Sequence, residues 1–320
     1  MRLHRHLLTI IALWVLPLSI LFGEEFSVKF EVIRVGQPSD KHRLEVGLWR
    51  PVDRKTEQSG QPNIPIKGLI IISHGFSGNF QGHRDTAEAL ANGGYLVAAP
   101  THADLNGLRL GRPDSDPLLA RPKQIEQIIR FLINDPSFKR YSLKDNIGIV
   151  GFSLGAYTAL VSAGAKPDFL SLTDYCQIQP GDGLLCSVQS RQRLSSLALY
   201  EANPKSYEIK GAVLLAPAYG PLFDKNSLAE VKIPIKMYSA EKDRELDERF
   251  NIKHFARVLP KRPELEVVKD AGHFVFMAPC NDSLKKAVPY ICIDAPSVDR
   301  AEIHQNMNKE IIQFFHQVFQ

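Results

Sequence analysis

The sequence predicts a doubly wound α/β domain whose sheet is mostly parallel. Six short runs carry the prediction because they are apolar without alternation: GLIIIS at 68–73, YLVAAP at 95–100, NIGIVGFS at 146–153, GAVLLAP at 211–217, IPIKMYS at 233–239 and LEVVKD at 265–270. Strands buried on both faces of a parallel sheet need such runs, whereas half-solvated strands alternate. Helical spacing lies between them. Ile125, Ile128, Ile129 and Leu132 recur in KQIEQIIRFLIN, and Ile303, Met307, Ile311, Phe314, Phe315 and Val318 form one broad face over 299–319. Strands alternating with helices imply a sheet covered on both sides. Ahead of them FSVKFEVIRV and RLEVGLWR alternate, which predicts two antiparallel strands, and the polar stretch from Pro51 to Lys67 reads as a surface loop.

One stretch breaks the pattern. From Lys166 to Ile209 no strand is readable, although SRQRLSSLALYEA has helical character. So long a weakly patterned segment inside a compact domain signals a functional insertion, so a cap is expected at about 166–209.

The 320 residues, 44% hydrophobic and 23% charged, suffice for a large core and exclude a disordered chain, a coiled coil and a collagen-like fibre. Net charge is +4, from 39 basic and 35 acidic residues with no basic run, which leaves no electrostatic footprint for nucleic acid. Residues 1–23, MRLHRHLLTIIALWVLPLSILFG, place Arg2 and Arg5 before an apolar stretch from Leu7 to Phe22 and end on a small residue. That is the layout of a secretory signal peptide, with a periplasmic or secreted mature protein; an N-terminal membrane anchor is the rival reading.

Export suits the four cysteines, which in an oxidising compartment allow three connectivities. Two local pairs, Cys176 with Cys186 and Cys280 with Cys292, are the simplest expectation, because each would staple a loop of weak periodicity. No Cys-x-x-Cys spacing points to zinc.

The chemistry centres on Gly151-Phe152-Ser153-Leu154-Gly155, a G-x-S-x-G sequence between the strand NIGIV and the small-residue helix LGAYTALVSAGA. In that setting a strand turns abruptly into a helix and holds the serine strained with Oγ exposed, a nucleophile elbow; the bland alternative is an ordinary glycine-rich βα turn. A serine hydroxyl needs a base, and the base an orienting acid, in the chain order Ser, acid, His. Of the histidines beyond Ser153, His254, His304 and His316 sit in helical patterns and read as surface residues. His273, in DAGHFVF, follows a strand and is the expected base. Asp243, at the turn after IPIKMYSAEKD and before a helix expected over RELDERF, is the preferred acid, with Glu241 and Asp270 as rivals. The oxyanion donors are expected to be the backbone N–H groups of Leu154 and, in the loop Ser73-His74-Gly75-Phe76-Ser77-Gly78, of Phe76, with His74 supporting the loop. His102 and Asp104, in PTHADLNG, are expected to line the pocket.

With these residues in place the chain resembles the α/β-hydrolase superfamily. More narrowly, it is similar to bacterial predicted dienelactone hydrolases related to platelet-activating-factor acetylhydrolases. The resemblance rests on SHGFSGNFQGHRDTAEALANGGYLVAAPTHAD, GFSLGAYTALVSAGA, LLAPAYGPLF, AGHFVFMAPC, the cysteines in DYCQ and LLCS, and VPYICIDAPSVDRAEIHQNMN. It implies an α/β-hydrolase fold with an inserted cap. Dienelactone hydrolases use a cysteine nucleophile where this chain has Ser153, and LLAPAYG lacks the carboxylate that the acetylhydrolase type carries there, which favours Asp243.

The reading is an exported serine hydrolase of carboxylic esters: a short-chain esterase, lipase-like enzyme or acetylhydrolase working through an acyl-enzyme without cofactor or metal. Its partner is a small ester or lipid, and a membrane enters only through the leader or a lipid substrate. The alternatives are an amidase or peptidase on the same residues, or a non-catalytic binding protein on a hydrolase scaffold.

Overall fold

A computed structural model describes residues 26–36, 43–53, 64–103, 116–139, 141–200 and 207–320. The leader at 1–23 and Asp104 lie outside the described residues. The strands are β1 (Phe26–Val35), β2 (Leu44–Asp53), β3 (Leu69–Ser73), β4 (Leu96–Thr101), β5 (Ile147–Phe152), β6 (Ile209–Leu215), β7 (Ile235–Ala240) and β8 (Glu264–Val268). The helices are α1 (Arg84–Asn92), α2 (Pro117–Asn134), α3 (Leu154–Ser162), α4 (Leu172–Ile178), α5 (Val188–Leu197), α6 (Ile252–Val258), α7 (Asp282–Ala287), α8 (Pro289–Cys292) and α9 (Arg300–Val318).

These strands form one eight-stranded sheet in the order β1-β2-β4-β3-β5-β6-β7-β8. β2 runs antiparallel to both β1 and β4, and every pairing from β4 to β8 is parallel. The non-alternating runs thus occupy the parallel part. Within them successive residues serve opposite faces: Leu69 and Ile71 join the core under α2 and α3, while Ile70 and Ile72 join the core under α1 and α9. Each helix contributes one apolar stripe, Ile125, Ile128, Ile129 and Leu132 on the first side and Met307, Ile311, Phe314 and Phe315 on the second.

Local expectations fail in three places. β2 continues through Pro51 and Val52, read above as loop, because both are buried against the sheet and pair with β1. The run LEVVKD is not buried on both faces: β8 is the outer strand, has one neighbour, and leaves Leu265 and Val267 exposed. The segment RELDERF is a series of turns, with α6 starting only at Ile252. There Asp243 and Asp247 accept hydrogen bonds from the N–H groups of Glu245, Leu246 and Arg249, local bonds that compete with helix.

The segment 166–200 contains α4 and α5 and no strand. A disulfide joins Cys176 to Cys186 and a second joins Cys280 to Cys292. Arg193 of α5 ties the segment to the scaffold: its Nε and Nη2 donate to Asp116 at 2.5 and 3.0 Å, and Asp116 also accepts from Leu118 N–H as the N-cap of α2. Among the described residues no helix is long and apolar enough to cross a membrane.

Candidate active site

The site begins where β5 ends. Ser153 has φ 53° and ψ −115°, a conformation that side-chain-bearing residues rarely adopt, between the last residue of β5 and the first of α3. Both elbow glycines are required by contact. A Cβ on Gly151 would lie 2.2 Å from the carbonyl oxygen of Gly155, and one on Gly155 would lie 1.9 Å from that of Ser73. The chain can therefore fold back on β3 only with hydrogen at these positions.

A sheet in this strand order, with antiparallel β2 and a strained serine at the turn from the central β5 into its helix, decides the architecture. The fold is that of the α/β hydrolases. No protein-family model matches the chain, and no curated protein matches it. Among solved structures it is similar to a predicted CIB-like hydrolase from Thermoplasma acidophilum, with a TM-score of 0.47 and 14% identity over 90% of this chain and 99% of the other.

In this α/β-hydrolase fold His273 opens a short 3-10 turn, His273–Phe276, after β8. Its Nδ1 donates to Asp243 Oδ2 at 2.7 Å, and both side chains are largely buried. Asp243 follows β7, and its other oxygen accepts from Glu245 N–H and Leu246 N–H, both at 2.9 Å. The rival Glu241 is used elsewhere: its Oε2 accepts from Asp270 N–H at 3.0 Å. Ser153, His273, Phe76 and Leu154 open onto one cavity of about 500 Å³, and Asp243 sits behind the imidazole. The N–H groups of Phe76 and Leu154 have no hydrogen-bond partner among the described residues.

Phe152 explains itself by packing. Its ring lies 4.9 Å from that of His273 and 5.4 Å from that of His83, and a Cβ on Gly75 would meet it at 2.9 Å. It is the floor on which His273 and the loop at Gly75 rest. His83 Nδ1 donates to Phe276 O at 3.1 Å, and burial pushes this ring down to about 4, so it is neutral at ordinary pH.

Two histidines depart from expectation. His102 does not line the cavity: it is buried behind the loop, where Nδ1 donates to Gln124 Oε1 at 2.6 Å and Nε2 accepts from Ser73 Oγ at 3.0 Å. His304 is not a surface residue. On α9 it faces α1 and donates from Nδ1 to Asp85 at 2.5 Å and from Nε2 to Val275 O at 2.7 Å. Both ring nitrogens face acceptors, and its bond to Val275 anchors the turn that carries His273.

The cavity walls include parts the sequence did not single out. Leu184, inside the Cys176–Cys186 loop, and Ile291, inside the Cys280–Cys292 loop, line the cavity together with Leu246, Phe274 and Met277. Arg121 was also missed. Its signal was legible: it lies between Leu118 and Ile125 on the apolar stripe of α2, where a charge is out of place.

Proposed function

We propose that this chain is an exported serine hydrolase that cleaves carboxylic esters through an acyl-enzyme. The observation that carries the reading is the His273–Asp243 hydrogen bond of 2.7 Å beside a serine held at φ 53°, both histidine and serine on one cavity. His273 Nδ1 is occupied by its proton and the carboxylate, so Nε2 is left as the base.

Ser153 Oγ attacks the ester carbonyl carbon as its proton passes to Nε2. The carbonyl oxygen becomes an oxyanion, held by the N–H groups of Phe76 and Leu154. The C–O bond to the alcohol then breaks, and the proton on Nε2 leaves with the alcohol. Water repeats the sequence on the acyl-serine, returning the carboxylic acid and free Ser153. No step draws on a cofactor or a metal.

Phe76, Phe152, Leu246, Phe274, Met277 and Ile291 give the cavity apolar walls, which suit an ester with apolar acyl or alcohol groups. The likeness to the predicted dienelactone hydrolases and the acetylhydrolases agrees with this chemistry. The two disulfides and the N-terminal leader support export to the periplasm or beyond. The segment 166–209 acts as a cap, and its Leu184 lines the cavity.

Hydrolysis of p-nitrophenyl esters from acetate to palmitate by wild type and Ser153→Ala tests the reading. Wild-type activity that disappears in the variant is expected, with an optimum at short to medium chains. A folded, oxidised wild type that cleaves none of them overturns it and moves amides to the front. Shortening the cap should shift the chain-length optimum.

A further inference from the structure

We propose that Arg121 is a positioning residue of the oxyanion hole, aiming the Phe76 N–H at the reacting carbonyl from behind; the inference rests on the esterase reading of the site. Arg121 is 0% exposed and is the largest fully buried side chain among those described. Burying a guanidinium costs several kcal/mol before its contacts offset it, so a reason for its place is needed.

The reason is the peptide between Gly75 and Phe76. Arg121 Nη2 donates to Gly75 O at 3.0 Å, and its Nη1 donates to His74 O at 2.5 Å. Gly75 O also accepts from His74 Nδ1 at 2.6 Å and from Gly78 N–H at 3.3 Å. Donors from three residues converge on one carbonyl oxygen. The peptide bond is trans, so its C=O and N–H point in opposite directions. Holding Gly75 O against Arg121 therefore turns Phe76 N–H away from α2, and Phe76 lines the cavity.

This restraint answers a weakness that the loop cannot avoid. Residue 75 must be glycine because a Cβ would strike Phe152 at 2.9 Å, yet glycine is the residue that lets an adjoining peptide plane rotate most freely. The cation also lies at the oxygen end of the peptide dipole, which polarises the N–H and adds a field of the sign that an oxyanion needs.

The histidines beneath the loop extend the brace. His74 Nε2 accepts from His102 N–H at 3.0 Å, so the neutral ring carries its proton on Nδ1, directed at Gly75 O. Burial and the nearby Arg121 charge hold His74 and His102 well below the usual histidine range, which keeps both rings neutral, and their hydrogen bonds then fix each tautomer.

The test compares wild type, Arg121→Met and Arg121→Lys on p-nitrophenyl butyrate, with thermal melts and inhibition by butylboronic acid, whose tetrahedral serine adduct places an oxygen in the hole. Loss of one aimed donor predicts a kcat ~100-fold lower in Arg121→Met, with KM within about threefold. Boronate affinity should weaken in parallel with kcat. Arg121→Lys, which keeps the charge and one bond, should fall between the two, and guanidinium ion should restore part of the methionine variant's activity.

A folded variant with kcat within threefold of wild type, or with reduced kcat and unchanged boronate affinity, overturns the proposal. Should Arg121→Met not fold, Arg121→Lys decides by the same criteria. An inactive wild type would instead overturn the esterase reading, so the two failures are distinguishable.

Discussion

Replacing Asp243 by asparagine swaps one oxygen for NH2 at constant size, and the surrounding hydrogen bonds dictate how the amide sits. Oδ1 accepts from Glu245 N–H and Leu246 N–H, both at 2.9 Å, so the amide oxygen must take that place. The NH2 group then faces His273 Nδ1, 2.7 Å away, and that nitrogen must become the acceptor. The ring proton moves to Nε2, the atom that has to be bare to receive the serine proton. The reverse orientation would set NH2 against two backbone donors and leave both unsatisfied, at about 1–3 kcal/mol each. The productive arrangement is thus rarer by about 2–6 kcal/mol, which converts to a kcat lower by roughly 30- to 25,000-fold. Steady-state hydrolysis of p-nitrophenyl butyrate checks it, with a thermal melt to show that the variant is folded. A folded Asp243→Asn with kcat within tenfold of wild type would refute the reasoning, because the carboxylate would then not control the tautomer of His273.

Other consequences follow from strain, burial and cross-links. Ser153→Gly should be inactive yet more stable by about 1 kcal/mol, because glycine adopts φ 53° without penalty; an unchanged or lower melting temperature counts against stored strain. Gly155→Ala should lose more than about 3 kcal/mol in urea unfolding, since its Cβ would sit 1.9 Å from Ser73 O. His83, lowered by burial from 6.5 to about 4, stays neutral in the fold while the unfolded chain takes up a proton, so stability should drop by about 3 kcal/mol as pH falls through that window. His74 and His102 shift the same way, and melting temperatures equal at pH 7 and pH ~4.5 would contradict all three. Reducing the disulfides, whose cysteines are 10 and 12 residues apart, should remove roughly 2–3 kcal/mol each and raise KM by loosening Leu184 and Ile291; full reduction without a fall in melting temperature argues against this.

The sequence by itself determined the parallel sheet and the strand-to-helix turn at Ser153, and it set His273 and the candidate acids just past strand ends, because each is written in local order. Continuous apolar runs distinguish buried strands, G-x-S-x-G marks a turn that only glycines permit, and a histidine or aspartate just past a strand end reaches the same rim of the sheet. The two local disulfides were legible for the same reason, each closing a loop of its own.

The tertiary structure alone decided what depends on neighbours distant in the chain. That β8 is outermost, and so largely exposed, follows from strand order, which hydrophobic pattern does not encode. His304 looks like a surface residue on its own helix and is buried only because α1 brings Asp85 against it. Asp243 could be separated from Glu241 and Asp270 only once the turn at 243–246 had aimed one oxygen at His273 and the other at two amides. Arg121 is the sharpest case: a charge on an apolar helix stripe is an anomaly in sequence, and it becomes intelligible where the fold sets it 3.0 Å from Gly75 O, behind the N–H proposed as an oxyanion donor.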